Sequence, residues 1–216
     1  MGFLGPDVRL DDLLRVLVVD DVELDRRRLI VALESDPTVE VVGEAANSEQ
    51  ARAMAAAIPP AVTVMTLTLG DVAAVETVEA VLEQSPSTRV LALVTPDDQR
   101  SALAAIRAGA VGTAVRDDSR AVALTAVRAL AAGEAVLDDD TAADVLAEID
   151  RLSRADAAQG DPGPMIDELA HKVLTGRATG IDAATLASAL ELDVHLIGAY
   201  LDDVLAALQR HPVPSR

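Results

Sequence analysis

The first strongly apolar segment of the chain, Val16, Leu17, Val18 and Val19, has no polar residue at alternate positions and runs straight into Asp20 and Asp21. Such a run predicts a parallel strand covered on both faces, because a solvent face would require a polar residue at every second position. The next stretch, VELDRRRLIVALESDP, puts Leu29, Ile30 and Leu33 at helical spacing, with acids early and Pro37 just beyond, and predicts a helix. The alternation then repeats. VEVVGEAA, AVTVMTL, RVLALV and AVGTAV read as further strands. Asn47, with Gln50 three residues on, is expected to cap a second helix through Ala57, which Pro59 and Pro60 stop. A third helix is expected from about Val72 to Gln84 after Gly70, with Asp71 as a loop acid or cap. A fourth runs from about Gln99 to Ala108 and closes on Gly109, suited to a left-handed cap. Ser119 is expected to cap a fifth, which ends near Gly133.

Five strand–helix units over residues 15–133 describe an α/β doubly wound parallel sheet. Asp20 and Asp21 would then lie at its carboxyl edge, where open α/β folds place their sites. Beyond it, DDDTAADVLAEIDRLSRADAA reads as one more helix, capped by Thr141 with Asp144 three residues on. Gly160, Pro162, Gly163 and Pro164 cannot continue a helix and mark a linker. The remaining residues read as short helices, clearest in MIDELAHKVL, AATLASAL and VHLIGAYLDDVLAALQ. The expected division is an N-terminal arm at 1–14, an α/β domain at 15–137, a linker helix and Pro/Gly linker at 138–163, and a helical domain at 164–216.

Composition narrows the function. The chain of 216 residues has no apolar run near the roughly 18 residues that cross a membrane, and its first residues lack a basic start before an apolar stretch. A cytoplasmic protein is expected. There is no cysteine, and the three histidines, His171, His195 and His211, fit no common metal spacing. No arrangement of nucleophile, base and orienter appears, so no enzyme is expected. The net charge of −18, with Lys172 the only lysine, opposes binding to nucleic acids and anionic membranes.

In order and spacing, VLVVDD, ESDPTVEVVGEAANSEQA, RAGAVG and AAGEAVL resemble a bacterial response regulator of the NarL/FixJ type. The resemblance covers nearly the whole chain. It implies a flavodoxin-like receiver phosphorylated on an aspartate ending the third strand, followed by a LuxR-like helix-turn-helix. The family's acid pair, which holds Mg²⁺, matches Asp20 and Asp21. Its phosphoacceptor position falls on Thr66, which cannot form an acyl phosphate. The switch hydroxyl falls on Val94, with Thr95 next, the aromatic on Thr113 and the lysine on Arg116. Arginine keeps the charge of lysine but not its compact geometry. The expectation is therefore a receiver no longer run by phosphoryl transfer. A salt bridge from Arg116 to the acid pair is expected ahead of a bound Mg²⁺, and no other cofactor is implied.

The second half of the resemblance aligns TLASALELDVHLIGAYLDDVLAAL with a supporting helix, turn and recognition helix. Its apolar skeleton includes Leu186, Ala187, Leu190, Leu192, Ile197 and Leu201, and Asp193 is expected at the helix N-cap. The candidate recognition helix carries Asp193, His195, Gly198, Tyr200 and Asp202. Family basic positions fall on His195, Gly198, Ala206 and Ala207, while Asp203 adds a further acid. Residues 161–216 hold eight acids and four bases, a balance that weakens DNA binding. Two readings follow. One is a phosphorylation-independent regulator of transcription whose receiver serves dimerisation or sensing, pairing with itself or a related regulator. The other is a regulator whose acidic helix-turn-helix binds protein instead of DNA. Leu146 and Ile149 on the linker helix either mediate pairing or pack on their own domain.

Overall fold

The computed structural model describes residues 13–67, 71–95, 99–116, 120–159 and 166–211, and the chain divides into two compact units, 1–132 and 133–216. In the first unit the strands are β1 (Leu14–Val19), β2 (Val39–Ala45), β3 (Val62–Thr66), β4 (Arg89–Val94) and β5 (Gly112–Val115). The helices are α1 (Glu23–Leu33), α2 (Ser48–Ala57), α3 (Asp71–Gln84), α4 (Gln99–Ala108) and α5 (Arg120–Ala131). All strand pairs are parallel, in the order β2-β1-β3-β4-β5. This is the doubly wound parallel sheet expected from the alternation, in the flavodoxin-like form that the resemblance implies.

The apolar run of β1 sits mid-sheet: Val16, Leu17, Val18 and Val19 are all at most 1% exposed. Leu17, Met65, Leu91, Ile106 and Leu130 are fully buried. Each such side chain contributes about 1.5–3 kcal/mol relative to exposure. The β1–β2 register shifts between Val16 and Leu17, and Gly43 on β2 lies where a Cβ would come within 3.2 Å of Leu17 Cδ1. Asn47 caps α2 by accepting from the Gln50 amide, while Gln50 Oε1 accepts from the Ala46 amide. Gly109 ends α4 at φ +119°, the left-handed region expected of it. Asp36, before β2, is ion-paired with Arg128 on α5. Burial opposes ionisation of its carboxyl, but hydrogen bonds from the Thr38 amide and hydroxyl, with Arg128, hold it below the usual carboxylate range.

The second unit contains α6 (Asp139–Gln159), α7 (Glu168–Ala178), α8 (Ala183–Leu190) and α9 (Val194–Arg210). Two expectations are corrected here. Residues 133–159 belong to the helical unit and not to a linker, because α6 packs on α7 and buries Ala142, Val145, Ile149 and Leu152. Ile149 thus packs on its own unit. The α6 cap is Asp138 and not Thr141: the Asp138 carboxylate accepts from both the amide and the hydroxyl of buried Thr141. In α7, α8 and α9 the caps are Asp167, Asp182 and Asp193, each accepting a backbone amide. The turn between α8 and α9 passes through Glu191 at φ +56°. Ile197, Leu201, Val204, Leu205 and Leu208 form the buried stripe of α9, whereas Leu190 and Leu192 are half-buried. Of the expected arm at residues 1–14, residues 1–12 lie outside the described residues and Leu14 opens β1; Gly70, the Ser119 cap and the Gly160–Pro164 linker also lie outside them.

Candidate functional site

At the carboxyl edge, β1 delivers Asp20, β3 delivers Thr66 and β5 leads into Arg116. The backbone fixes these ends. The Asp20 amide donates to the Ala45 carbonyl at 3.0 Å and the Arg116 amide to the Val94 carbonyl at 2.7 Å, so both residues continue their ladders. Asp20 is 1% exposed. Its Oδ1 accepts from the Val22 amide at 2.8 Å, and its carboxyl is hydrogen-bonded to the Thr66 hydroxyl. Its carbonyl accepts from Arg26 Nη1 at 2.8 Å. Burial raises the carboxyl above the usual range, more than the Val22 amide, Arg116 and Thr66 lower it.

Arg116 does reach this carboxylate, with Nη1 3.9 Å from Asp20 Oδ2, but its close partner is Asp25, at 2.5 Å from Nη2 to Oδ2. The expected bridge to the Asp20–Asp21 pair is corrected to a bridge to Asp20 and Asp25. Adjacent residues on a strand end point in opposite directions, so Asp21 emerges exposed while Asp20 is buried. Asp25 in the first turn of α1 read only as an early helix acid; its role here depends on the approach of α1 to β5.

A cavity of about 560 Å³ opens between α1 and α5 and is lined in part by Asp20, Asp25, Thr66 and Arg116. Asp21, Val94, Thr95 and Thr113 are not among its lining residues. Val94 and Thr113 are buried in the sheet and Thr95 is half-buried. The residues present do not fit the Mg²⁺ implied by the resemblance. A divalent cation of this kind takes carboxylate oxygens, and here the β3 position offers a hydroxyl already bonded to Asp20. Among the described residues no group of three or more acids, histidines or cysteines is placed to hold a metal.

In the helical unit, Asp193 Oδ1 accepts from the His195 amide at 3.0 Å. His195 is exposed, and its Nδ1 lies 2.7 Å from Glu134 Oε1. The Glu134 hydrogen bond and charge, with Asp193, raise the imidazole above its ordinary value. Gly198 is covered by the segment before α6. The Ala135 amide donates to the Gly198 carbonyl at 3.1 Å, and a Cβ on Gly198 would sit 2.5 Å from Glu134 Cβ. Arg177 fastens the same segment, donating from Nη2 to the Leu137 carbonyl at 3.0 Å and to Asp139 at 2.8 Å. Tyr200 and Asp202 are half-buried. Glu134 was not legible as a partner of α9, nor Arg177 as a partner of the segment before α6, since their contacts span 61 and 40 residues of chain.

The doubly wound sheet, the buried carboxylate at its switch point and the helix-turn-helix define a two-part regulator. The chain matches the response regulator receiver domain over residues 16–128 and belongs to that family, as a response regulator of the transcriptional-regulator type. It is 31% identical over 196 residues to the DNA-binding transcriptional activator DevR/DosR of Mycobacterium tuberculosis, covering 91% of this chain and 88% of that protein. The signal receiver domain of the response regulator NarL from the same organism aligns at a TM-score of 0.52 with 30% identity, over 56% of this chain and 98% of that one. RcsB of Salmonella typhimurium matches in fold at a TM-score of 0.52, with 17% identity over 94% of this chain and 95% of its own.

Proposed function

We propose that this chain regulates transcription as a response regulator whose receiver is set without phosphoryl transfer or metal, acting in the cytoplasm as a non-enzyme paired with itself or a related regulator. The observation that carries the reading is Thr66 at the end of β3, hydrogen-bonded to Asp20. A carboxylate nucleophile is needed there to make an acyl phosphate, and a hydroxyl tied to its neighbour does not supply one. The arginine at the lysine position is held by Asp25, which supports one standing arrangement of the edge in place of a phosphate-gated pair of states. DevR/DosR is named a DNA-binding transcriptional activator, which supports the transcriptional setting. The test is incubation of the full chain with acetyl phosphate and Mg²⁺, read by intact mass. No phosphoryl addition is expected; a hydroxylamine-sensitive adduct would overturn the reading.

A second reading concerns α9. Recognition helices read base edges from their first turns with basic or amide side chains. Here that stretch carries exposed Val194 and Leu196, a histidine engaged by Glu134, and Gly198 under the chain's own backbone. Of the bases in this segment, Arg177 is committed to Leu137 and Asp139, and Lys172 pairs with Glu168 at 2.6 Å. These observations support a helix-turn-helix that contacts protein. Titration against genomic fragments from low to physiological salt should give no fragment-selective binding. Selective binding that weakens steeply with salt would return α9 to DNA reading.

A further inference from the structure

The cavity beside Asp20 is larger than an ion pair requires. Its volume of about 560 Å³ lies within the roughly 300–1,000 Å³ typical of small-molecule sites. It meets the ends of β1 and β3, between which the strand order reverses, and open α/β sheets bind ligands at that crevice. One of its lining residues, Asp20, carries a buried oxygen without a hydrogen bond. That oxygen is Oδ2: Oδ1 takes the Val22 amide, and Arg116, drawn to Asp25, comes no nearer to Oδ2 than an ion-pair distance of 3.9 Å. The walls are apolar, formed by Leu24, Leu29, Leu93, Val115 and Ala123.

The charged lining gives the ligand its sign. Among the lining residues the three arginines, Arg27, Arg28 and Arg116, outnumber the two acids, Asp20 and Asp25, in a chain of net charge −18, and Glu23 beside Arg27 lies outside the lining. Arg27 and Arg28 stand exposed and, among the described residues, pair with nearby acids of their own helix, Glu23 at 2.6 Å and Asp25 at 3.5 Å. Surface pairs of this kind contribute little to stability and exchange readily for a better anion. A cation suits the orphaned carboxyl oxygen but not this arginine cluster. A neutral donor suits both.

We propose that the cavity is an effector site for a small amphipathic organic anion carrying a hydroxyl or N–H group at its buried end. The donor satisfies Asp20 Oδ2, the apolar body lies against Leu24, Leu29, Val115 and Ala123, and the anionic group meets Arg27 and Arg28. The inference rests on the reading that Asp20 has no phosphoryl-transfer duty.

The probe is 8-anilinonaphthalene-1-sulfonate, which carries an N–H, an aromatic body and a sulfonate. It is titrated into the full chain by fluorescence and calorimetry. One saturable site per chain is expected, weakened at least tenfold by the pair Arg27→Glu and Arg28→Glu. The pair Arg151→Glu and Arg154→Glu on α6 changes the net charge equally and should leave affinity within twofold. Circular dichroism checks that both variants are folded, which their exposed positions favour. Absence of a saturable site, or equal weakening by the two pairs, would overturn the proposal. So would indifference to the α1 pair. No phosphodonor is present, so the outcome is independent of the acetyl phosphate result.

Discussion

Gly198→Ala is expected to destabilise the helical unit by about 2–3 kcal/mol, the range of an overpacked contact that cannot relax cheaply. The new Cβ would lie 2.5 Å from Glu134 Cβ and 3.2 Å from the Ala135 carbonyl oxygen. Neither is the far end of a flexible side chain, so the segment before α6 must lift. Lifting breaks the Ala135 amide bond to the Gly198 carbonyl and parts His195 from Glu134. The sharpest readout is hydrogen exchange at the Ala135 amide, expected to quicken roughly 30- to 140-fold at the tenfold per 1.4 kcal/mol conversion. Unchanged protection at Ala135 would mean that this segment does not lie on α9. The substitution is also the direct way to ask what the freed helix face recognises, since it exposes the face without altering its charge.

The second large effect is expected at Gly109→Ala. At φ +119° any side chain is strained, and strain of this kind costs about 1–3 kcal/mol. The added Cβ would also come within 2.5 Å of Leu82 Cδ1 on α3. Leu82 is half-buried and its tip can rotate, so most of the cost is backbone strain. A loss of about 2–3 kcal/mol in the α/β unit should lower its melting temperature by roughly 5–10 °C. Near-wild-type unfolding would show that the α4–β5 turn accommodates a right-handed residue.

Gly109 belongs to the part of the structure that was legible in advance. Local chemistry governs it: a helix end, a missing Cβ and a neighbouring strand suffice. The same holds for the Asn47 and Asp193 caps and for the two-sided burial of β1, each decided by residues close in sequence. The site was legible only in part. Asp20, Thr66 and Arg116 were assignable because strand ends in a doubly wound sheet converge on one edge. Their pairing was not, because an arginine chooses among carboxylates by distance, and Asp25 comes near only through the packing of α1. Thr141 misled for a related reason: Asp138, three residues earlier, opens the helix a turn sooner, and its two carboxylate oxygens take the amide and the hydroxyl of Thr141, so that this hydroxyl donates to a cap and is not one. Glu134 could not have been matched to His195 by any local rule.

The place where one unit ends and the next begins also has a consequence for dissection. A fragment cut at the Pro/Gly stretch would look like a complete helix-turn-helix in the sequence, yet it would discard Glu134, Ala135, Leu137 and Asp139 along with α6. Arg177 would lose its acceptors in that segment, Leu137 and Asp139. Gly198 would be left as a bare notch in α9, and the α7 surface that α6 covers would face water. Such a truncation would report the behaviour of an opened domain, whereas a fragment beginning at Gly133 keeps its keystone.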